Sequence, residues 1–140
     1  MTNHISTKWI GNMAFESNNP SGLDLKIDAG PEDGGEGNGY RPKALMLTSL
    51  AGCSGLDVVS LFDKMKLKVD KFHIEIYAEL TDEHPKYYHK VHLEYHFYGK
   101  ELEEKKLQRA VDLSVDKYCG VMEMFRRFAT VSTENIYHLN

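Results

Sequence analysis

Cysteine, excess positive charge and long apolar runs are all scarce in this chain of 140 residues, and each scarcity excludes a class of protein. Two cysteines are too few for a disulfide scaffold. Acidic residues outnumber basic ones, so the formal net charge is -4 and nucleic acid is not expected as a partner. No uncharged apolar run reaches about 18 residues, so we expect no membrane span and no membrane partner.

The composition predicts one globular domain, residues 1–140, because 41% of the residues are hydrophobic and the length suffices for a core. The first residues show neither a basic start nor an apolar signal core, which predicts a cytoplasmic protein. Thiols are kept reduced in that compartment. A cysteine pair that bonds there is more often catalytic or redox-sensing than structural.

The first forty residues are rich in strand and turn signals. A hairpin is expected at Gly11 and Asn12, between two short strands, and a third strand follows. These N-terminal strands are expected at residues 8–10, 13–15 and 23–27. The glycine-rich, acidic stretch 30–39 then predicts a mobile loop, whose glycines do not fit a phosphate-binding pattern.

Pro42 begins a segment that predicts a long helix over residues 42–66. Apolar side chains cover nearly its whole circumference, so we expect it to be buried at the centre of the fold, with a subunit partner completing its cover. Gly52 and Gly55 lie in its middle. Glycine inside a helix costs about 1 kcal/mol relative to alanine, so close approach of another helix or of a substrate at Cys53 is expected there.

The second half of the chain predicts strands, then helices, then a strand. Strict alternation over residues 72–80 and 91–98 predicts an antiparallel pair. A helix is expected over 102–118, an interruption at Cys119, a shorter helix over 121–128 and a closing strand over 130–138. One stripe of the first of these helices is expected to carry Leu107, Ala110, Val111, Ser114 and Tyr118. This order predicts an α+β fold without a parallel βαβ repeat.

The two cysteines are the candidate reactive residues. Cys53 lies in the long helix, and Cys119 lies at the start of the shorter one, where the helix dipole is expected to lower the pKa of a thiol. A thiolate close to a second thiol can reduce a peroxide through a sulfenic acid and then a disulfide. Their separation along the chain does not establish proximity, so two inert buried thiols remain an alternative.

Two segments resemble a known family. PKALMLTSLAGC, residues 42–53, resembles the first-cysteine segment of the OsmC/Ohr family, the osmotically inducible protein C and organic hydroperoxide resistance proteins. VDLSVDKYCGV, residues 111–121, is similar to that family's second-cysteine segment. The order of elements also agrees over essentially the whole chain, which implies an OsmC-like fold.

The resemblance implies an intertwined homodimer with two long helices at its centre and a reactive site where the subunits meet. It implies that Cys53 attacks the peroxide and Cys119 resolves the product. Members reduce organic hydroperoxides or hydrogen peroxide with a thiol reductant and need no metal or organic cofactor. A thiol-dependent peroxidase is therefore the leading hypothesis. The alternative is a non-catalytic dimer that binds a small hydrophobic or thiol-bearing ligand in the interface pocket.

The chain departs from the family in its charged residues. Hydroperoxide-reducing members place a glutamate just after the motif proline, where this chain has Lys43 and Ala44. They also use an arginine from the N-terminal strands, and no arginine precedes Arg41 here. Arg41 is thus the candidate thiolate partner, and we expect a divergent subgroup that lacks the Arg–Glu pair.

Two further groups have less specific interpretations. His92, Glu94 and His96 share one face of a predicted strand, but neighbours two apart lie about 6.6 Å from each other, so a closed metal site needs ligands from elsewhere. A solvated polar face is favoured, and no metal is expected. Asp57 follows Cys53 by four residues and is either a carboxylate acting near the thiol or, as we favour, an inter-helix hydrogen-bond partner.

Overall fold

The computed structural model describes residues 1–140, which divide into two compact units, Met1–Met46 and Leu47–Asn140. The single domain expected for residues 1–140 stays a prediction. The first unit holds an antiparallel sheet in the order β1-β2-β3. Its strands are β1 Thr7–Gly11, β2 Ala14–Ser17 and β3 Leu25–Asp28. The expected hairpin is present, because Gly11 and Asn12 both adopt positive φ values, 112° and 48°.

The glycine-rich loop of the first unit is held by a carboxylate. Asp28, only 2% exposed, accepts hydrogen bonds at Oδ2 from the backbone N–H groups of Glu36 (3.2 Å) and Asn38 (3.1 Å). Backbone bonds such as that from Gly37 N–H to Ala29 O (3.2 Å) close the loop further. The loop that the sequence predicts to be mobile is therefore fastened at its base by Asp28.

Helix α1 spans Pro42–Lys64, close to the expected range. Within this chain it buries only the stripe Leu50, Ser54 and Val58, whose members are four residues apart. The expectation of a helix buried on most sides is thus not met by one chain alone. By length and composition α1 could also cross a membrane, a property that core helices of soluble proteins share. The chain has the character of a soluble domain.

The second unit is a three-stranded sheet with helices. Strand β5, Tyr88–Gly99, lies between β4, Lys71–Leu80, and β6, Thr130–Leu139. The pairing of β4 with β5 is antiparallel, as predicted, and that of β5 with β6 is parallel. Between β5 and β6 lie helix α2, Glu104–Leu113, a π-helical turn, Ser114–Tyr118, and helix α3, Gly120–Arg126. The fold is α+β with a single parallel crossover, from β5 to β6. The helical segments between these strands return the chain to the end of the sheet where β5 starts, so β6 runs in the same direction as β5.

The inner face of β5 forms the centre of the core of the second unit. Its four inward side chains, at most 1% exposed, are Val91, Leu93, Tyr95 and Phe97. They pack in one cluster with buried residues of all three helices: Leu50, Val58, Leu107, Val111, Met122 and Phe125. Tyr118, by contrast, is 53% exposed although it was expected on the buried stripe. The π-helical turn changes the register of the stripe after Ser114.

Candidate dithiol site

Cys119 lies at the junction of two helical segments and is almost fully buried, with 3% of its surface exposed. Its backbone N–H donates to Ser114 O across the π-helical turn (2.8 Å). It is the N-cap residue of α3, and its Sγ accepts a hydrogen bond from the N–H of Met122 (3.3 Å). The backbone of the π-helical turn and the first turn of α3 thus fix the position of this sulfur.

Cys53 lies one residue before the buried Ser54 on α1 and is only partly buried. It packs against the core cluster that contains Cys119. The two thiols are free, and they lie close enough for Cys53 to contribute to the pKa of Cys119. Folding therefore brings together two sulfurs that lie on different helical elements. Cys53 is the more accessible member of the pair, and Cys119 is the enclosed one.

Burial raises the pKa of the Cys119 thiol from its ordinary value of 9.0 to about 11. Within that net shift, burial is the largest cause, the interaction with Cys53 acts in the same direction, and the N–H of Met122 lowers the pKa. The expectation that the helix N-terminus lowers the pKa of this thiol is therefore wrong, because desolvation outweighs the single N–H donor. Cys119 therefore keeps its proton at neutral pH.

A buried hydrogen-bond network, the serine–tyrosine cluster, lies beside the dithiol. It consists of Ser54, Tyr95, Ser114 and Asp57. Ser54 Oγ lies 2.7 Å from the hydroxyl of Tyr95 and 2.8 Å from Ser114 Oγ. Ser114 Oγ also donates to Asp57 Oδ2 (3.0 Å). Asp57 is thus an inter-helix hydrogen-bond partner, as favoured from the sequence.

The cluster is electrostatically linked to the dithiol. The pKa of Tyr95 is raised to about 12, mainly by burial; Asp57 and, once ionised, Cys119 act in the same direction, and the hydrogen bond with Ser54 lowers this pKa. The charge of Asp57 also contributes to the raised pKa of Cys119. A negative charge close to both groups disfavours their anions. The cluster therefore helps to keep Cys119 in its thiol form.

The raised pKa of Cys119 predicts a loss of stability at alkaline pH. The folded chain holds this proton more tightly than the unfolded chain, so the stabilisation is complete below pH 9 and is lost as pH rises towards 11. A shift of this size corresponds to about 2–3 kcal/mol. Urea unfolding of the reduced protein at successive pH values measures it. Cys119→Ala should flatten the pH dependence between 9 and 11; an unchanged slope would contradict the assignment.

Arg41 belongs to the first unit, directly before α1, and its Nη1 lies 3.6 Å from Glu32 Oε1. Its role beside Cys53 stays a prediction. Sequence reasoning identified both cysteines and Asp57 but missed Ser54, Tyr95 and Ser114. The available signal was the position of Ser54 and Ser114 inside apolar helical patterns, because a buried hydroxyl needs a hydrogen-bond partner.

The α+β fold thus places a buried thiol and a partly exposed thiol near each other in one core cluster. A family model described as OsmC-like protein matches residues 35–134. The chain therefore belongs to the OsmC-like protein family.

Relatives and solved structures agree with this assignment. Protein YhfA of Escherichia coli K12 is 28% identical over 125 residues, which are 89% of this chain and 90% of YhfA. A hypothetical protein from Aquifex aeolicus VF5 superposes with a TM-score of 0.87 at 26% identity, covering 100% of this chain and 98% of the other. An organic hydroperoxide resistance protein OsmC from Legionella pneumophila shares the fold, with a TM-score of 0.71, 18% identity and 97% of each chain covered.

Proposed function

We propose that this protein is a thiol-dependent peroxidase in which Cys53 attacks the peroxide and Cys119 resolves the product. The observation that carries the proposal is the pair of free thiols that lie near each other in one core cluster, one partly exposed and one buried and protonated. Membership of the OsmC-like family supports a peroxide-related redox function. The neighbour from Legionella pneumophila, called an organic hydroperoxide resistance protein, supports an organic hydroperoxide as substrate.

The reaction needs both thiols and one external reductant. The Cys53 thiolate attacks the O–O bond of ROOH, takes one oxygen to become a sulfenic acid and releases RO⁻, which becomes ROH on protonation. The sulfur of Cys119 then attacks the sulfenic sulfur, forming the disulfide; its proton and the departing hydroxide form water. A dithiol reductant returns the disulfide to two thiols. In each turnover one peroxide is reduced and one reductant is oxidised.

Thiol counting tests the proposed function. The reduced protein should lose two free thiols per chain on addition of one equivalent of cumene hydroperoxide, with one intrachain disulfide detected by mass spectrometry. In Cys53→Ser the rate of thiol loss should fall about 100-fold or more. A 100-fold decrease equals about 2.7 kcal/mol of transition-state stabilisation. Slow or absent loss in the wild-type protein would overturn the peroxidase and favour the ligand-binding alternative.

We propose in addition that the protein works as a homodimer whose subunits meet along α1. Members of the OsmC/Ohr family are known from structures as dimers. One face of α1 is apolar and uncovered in the chain, with Leu56 74% and Val59 49% exposed. Beside it lies an open, largely apolar recess of about 440 Å³, lined among others by Gly52 and Phe72. The free space next to Gly52 suits the close approach of a second helix.

Leu56→Glu should separate the dimer. A carboxylate placed at an apolar interface loses its hydration without gaining a partner, so the dissociation constant should rise about 100-fold or more. Sedimentation or light scattering at several concentrations measures it. Tyr77→Glu is the matched control, because Tyr77 is 58% exposed but lies on β4, on the opposite face from the core. Equal dissociation of both variants, or of neither, would contradict this interface.

A reduced compartment suits this cycle, because Cys53 must return to its thiol state after each turnover. The proposed site of action is therefore the cytoplasm.

A further inference from the structure

The outer face of the second sheet carries three glutamates in one row. Glu75 on β4 is the register partner of Glu94 on β5, and Glu94 is the register partner of Glu134 on β6. Side chains of paired residues lie on the same face of a sheet, and like charges directly opposite each other are destabilising. The row therefore concentrates three carboxylates where a cation would stabilise the sheet.

Histidines, and no lysine or arginine, pair with these carboxylates. His73 Nε2 lies 3.3 Å from Glu75 Oε1, His96 Nε2 lies 3.0 Å from Glu94 Oε1, and His92 Nε2 lies 3.7 Å from Glu134 Oε2. Each of these three contacts joins one histidine to one glutamate. Unlike lysine or arginine, histidine is not a permanent cation, so the row of glutamates has no permanent counterion.

Three of these residues converge on one point. The potential ligand atoms of His92, Glu94 and Glu134 all lie within 4.8 Å of one another. Ligands of a tetrahedral zinc ion at about 2.1 Å lie about 3.4 Å apart, so small side-chain rotations close the difference. The distance from His92 Nε2 to Glu134 Oε2 is already close to that value.

The surrounding hydrogen bonds orient these groups as they do around metal ligands. His92 Nδ1 lies 2.7 Å from Ser132 Oγ, so an N–H at Nδ1 leaves the lone pair of Nε2 directed towards the glutamates. Glu94 is held by His96 (3.0 Å), whose other ring nitrogen lies 2.9 Å from His138 Nε2. Ser132 thus positions His92, and His96 positions Glu94, and neither Ser132 nor His96 is itself one of the three groups.

We propose that His92, Glu94 and Glu134 form a binding site for a divalent transition-metal ion of the zinc class. One imidazole and two carboxylates suit such an ion, and water completes its coordination. The sequence places only His92 and Glu94 of these three on one predicted strand, and Glu134 joins them from β6 through the parallel pairing. The site lies on the outer face of the sheet and is independent of the dithiol chemistry.

Binding measurements test the site on the full-length protein. Isothermal titration with zinc chloride alone should give one equivalent per chain, after removal of metal with a chelator. Cobalt(II) substitution should show visible bands of nitrogen and oxygen ligands without a sulfur-to-cobalt band, which separates this site from the two cysteines. A sulfur-to-cobalt band at one equivalent would overturn the proposal.

Variants on the same sheet give the matched comparison. His92→Ala and Glu134→Gln should weaken zinc binding about 100-fold, and Ser132→Ala about tenfold through loss of orientation. His89→Ala is the control, because His89 is an exposed histidine on β5 that pairs with Glu79 outside the site (4.0 Å). Equal affinities for wild type and His92→Ala, or equal weakening by His89→Ala, would overturn the assignment. Circular dichroism of each variant confirms that the sheet is folded.

Discussion

Cys119→Ser is expected to stop the reaction cycle after its first step. The partly exposed thiol of Cys53 still reaches the peroxide, but no second sulfur remains to condense with the sulfenic acid. The disulfide yield should fall from one per chain to zero. Dimedone should label Cys53, and excess hydroperoxide should drive it on to sulfinic and sulfonic acid, visible by mass spectrometry as two and three added oxygens.

The contrast with Cys53→Ser makes this prediction specific. Cys53→Ser should give neither a dimedone adduct nor oxidation of Cys119 at a comparable rate, because Cys119 is buried and protonated. If the roles were reversed, the adduct would appear in Cys53→Ser and not in Cys119→Ser. Adducts in neither variant would mean that the thiols do not react with peroxide.

Ser54→Ala is expected to destabilise the second unit by about 1–3 kcal/mol although it removes a single oxygen. Its hydroxyl is the hydrogen-bond partner of the buried Tyr95 hydroxyl, and an orphaned buried polar group loses its full hydration energy. For a chain of this size that loss lowers the Tm by about 3–10 °C. Tyr95→Phe alone should cost about 1 kcal/mol, because it removes one hydrogen bond and leaves Ser54 with Ser114.

A double-mutant cycle separates the hydrogen bond from packing. In Ser54→Ala/Tyr95→Phe both partners are apolar and of nearly the same shape, so much of the loss should be recovered, with a coupling energy of about 1–2 kcal/mol. Additive effects would show that the contact has no energetic weight. Reactivity with hydroperoxide measured on the same variants reports whether the serine–tyrosine cluster also positions the dithiol.

Local patterns were sufficient to predict most of the secondary structure. Alternation identified β4 and β5 and their antiparallel pairing, and Pro42 identified the start of α1. Both signals come from residues close together in the chain. The interruption at Cys119 was predicted for the same reason, since glycine follows it and the apolar stripe ends there.

Long-range placement could not be obtained in this way. The parallel pairing of β6 with β5 depends on where three helical segments return the chain, and this places Glu134 beside His92. The contact of Ser54 with Tyr95 joins residues 41 positions apart. The π-helical turn has no local signature in the sequence, so the exposure of Tyr118 was not foreseen.

The position of β6 has a consequence for biosynthesis. β5 pairs with it along its length, from Lys90 with Thr130 to Gly99 with Leu139. During translation one edge of β5 therefore stays unpaired until residue 139 has left the ribosomal exit tunnel. During that interval the unpaired edge of β5 is open to pairing with other chains, because open strand edges nucleate aggregation.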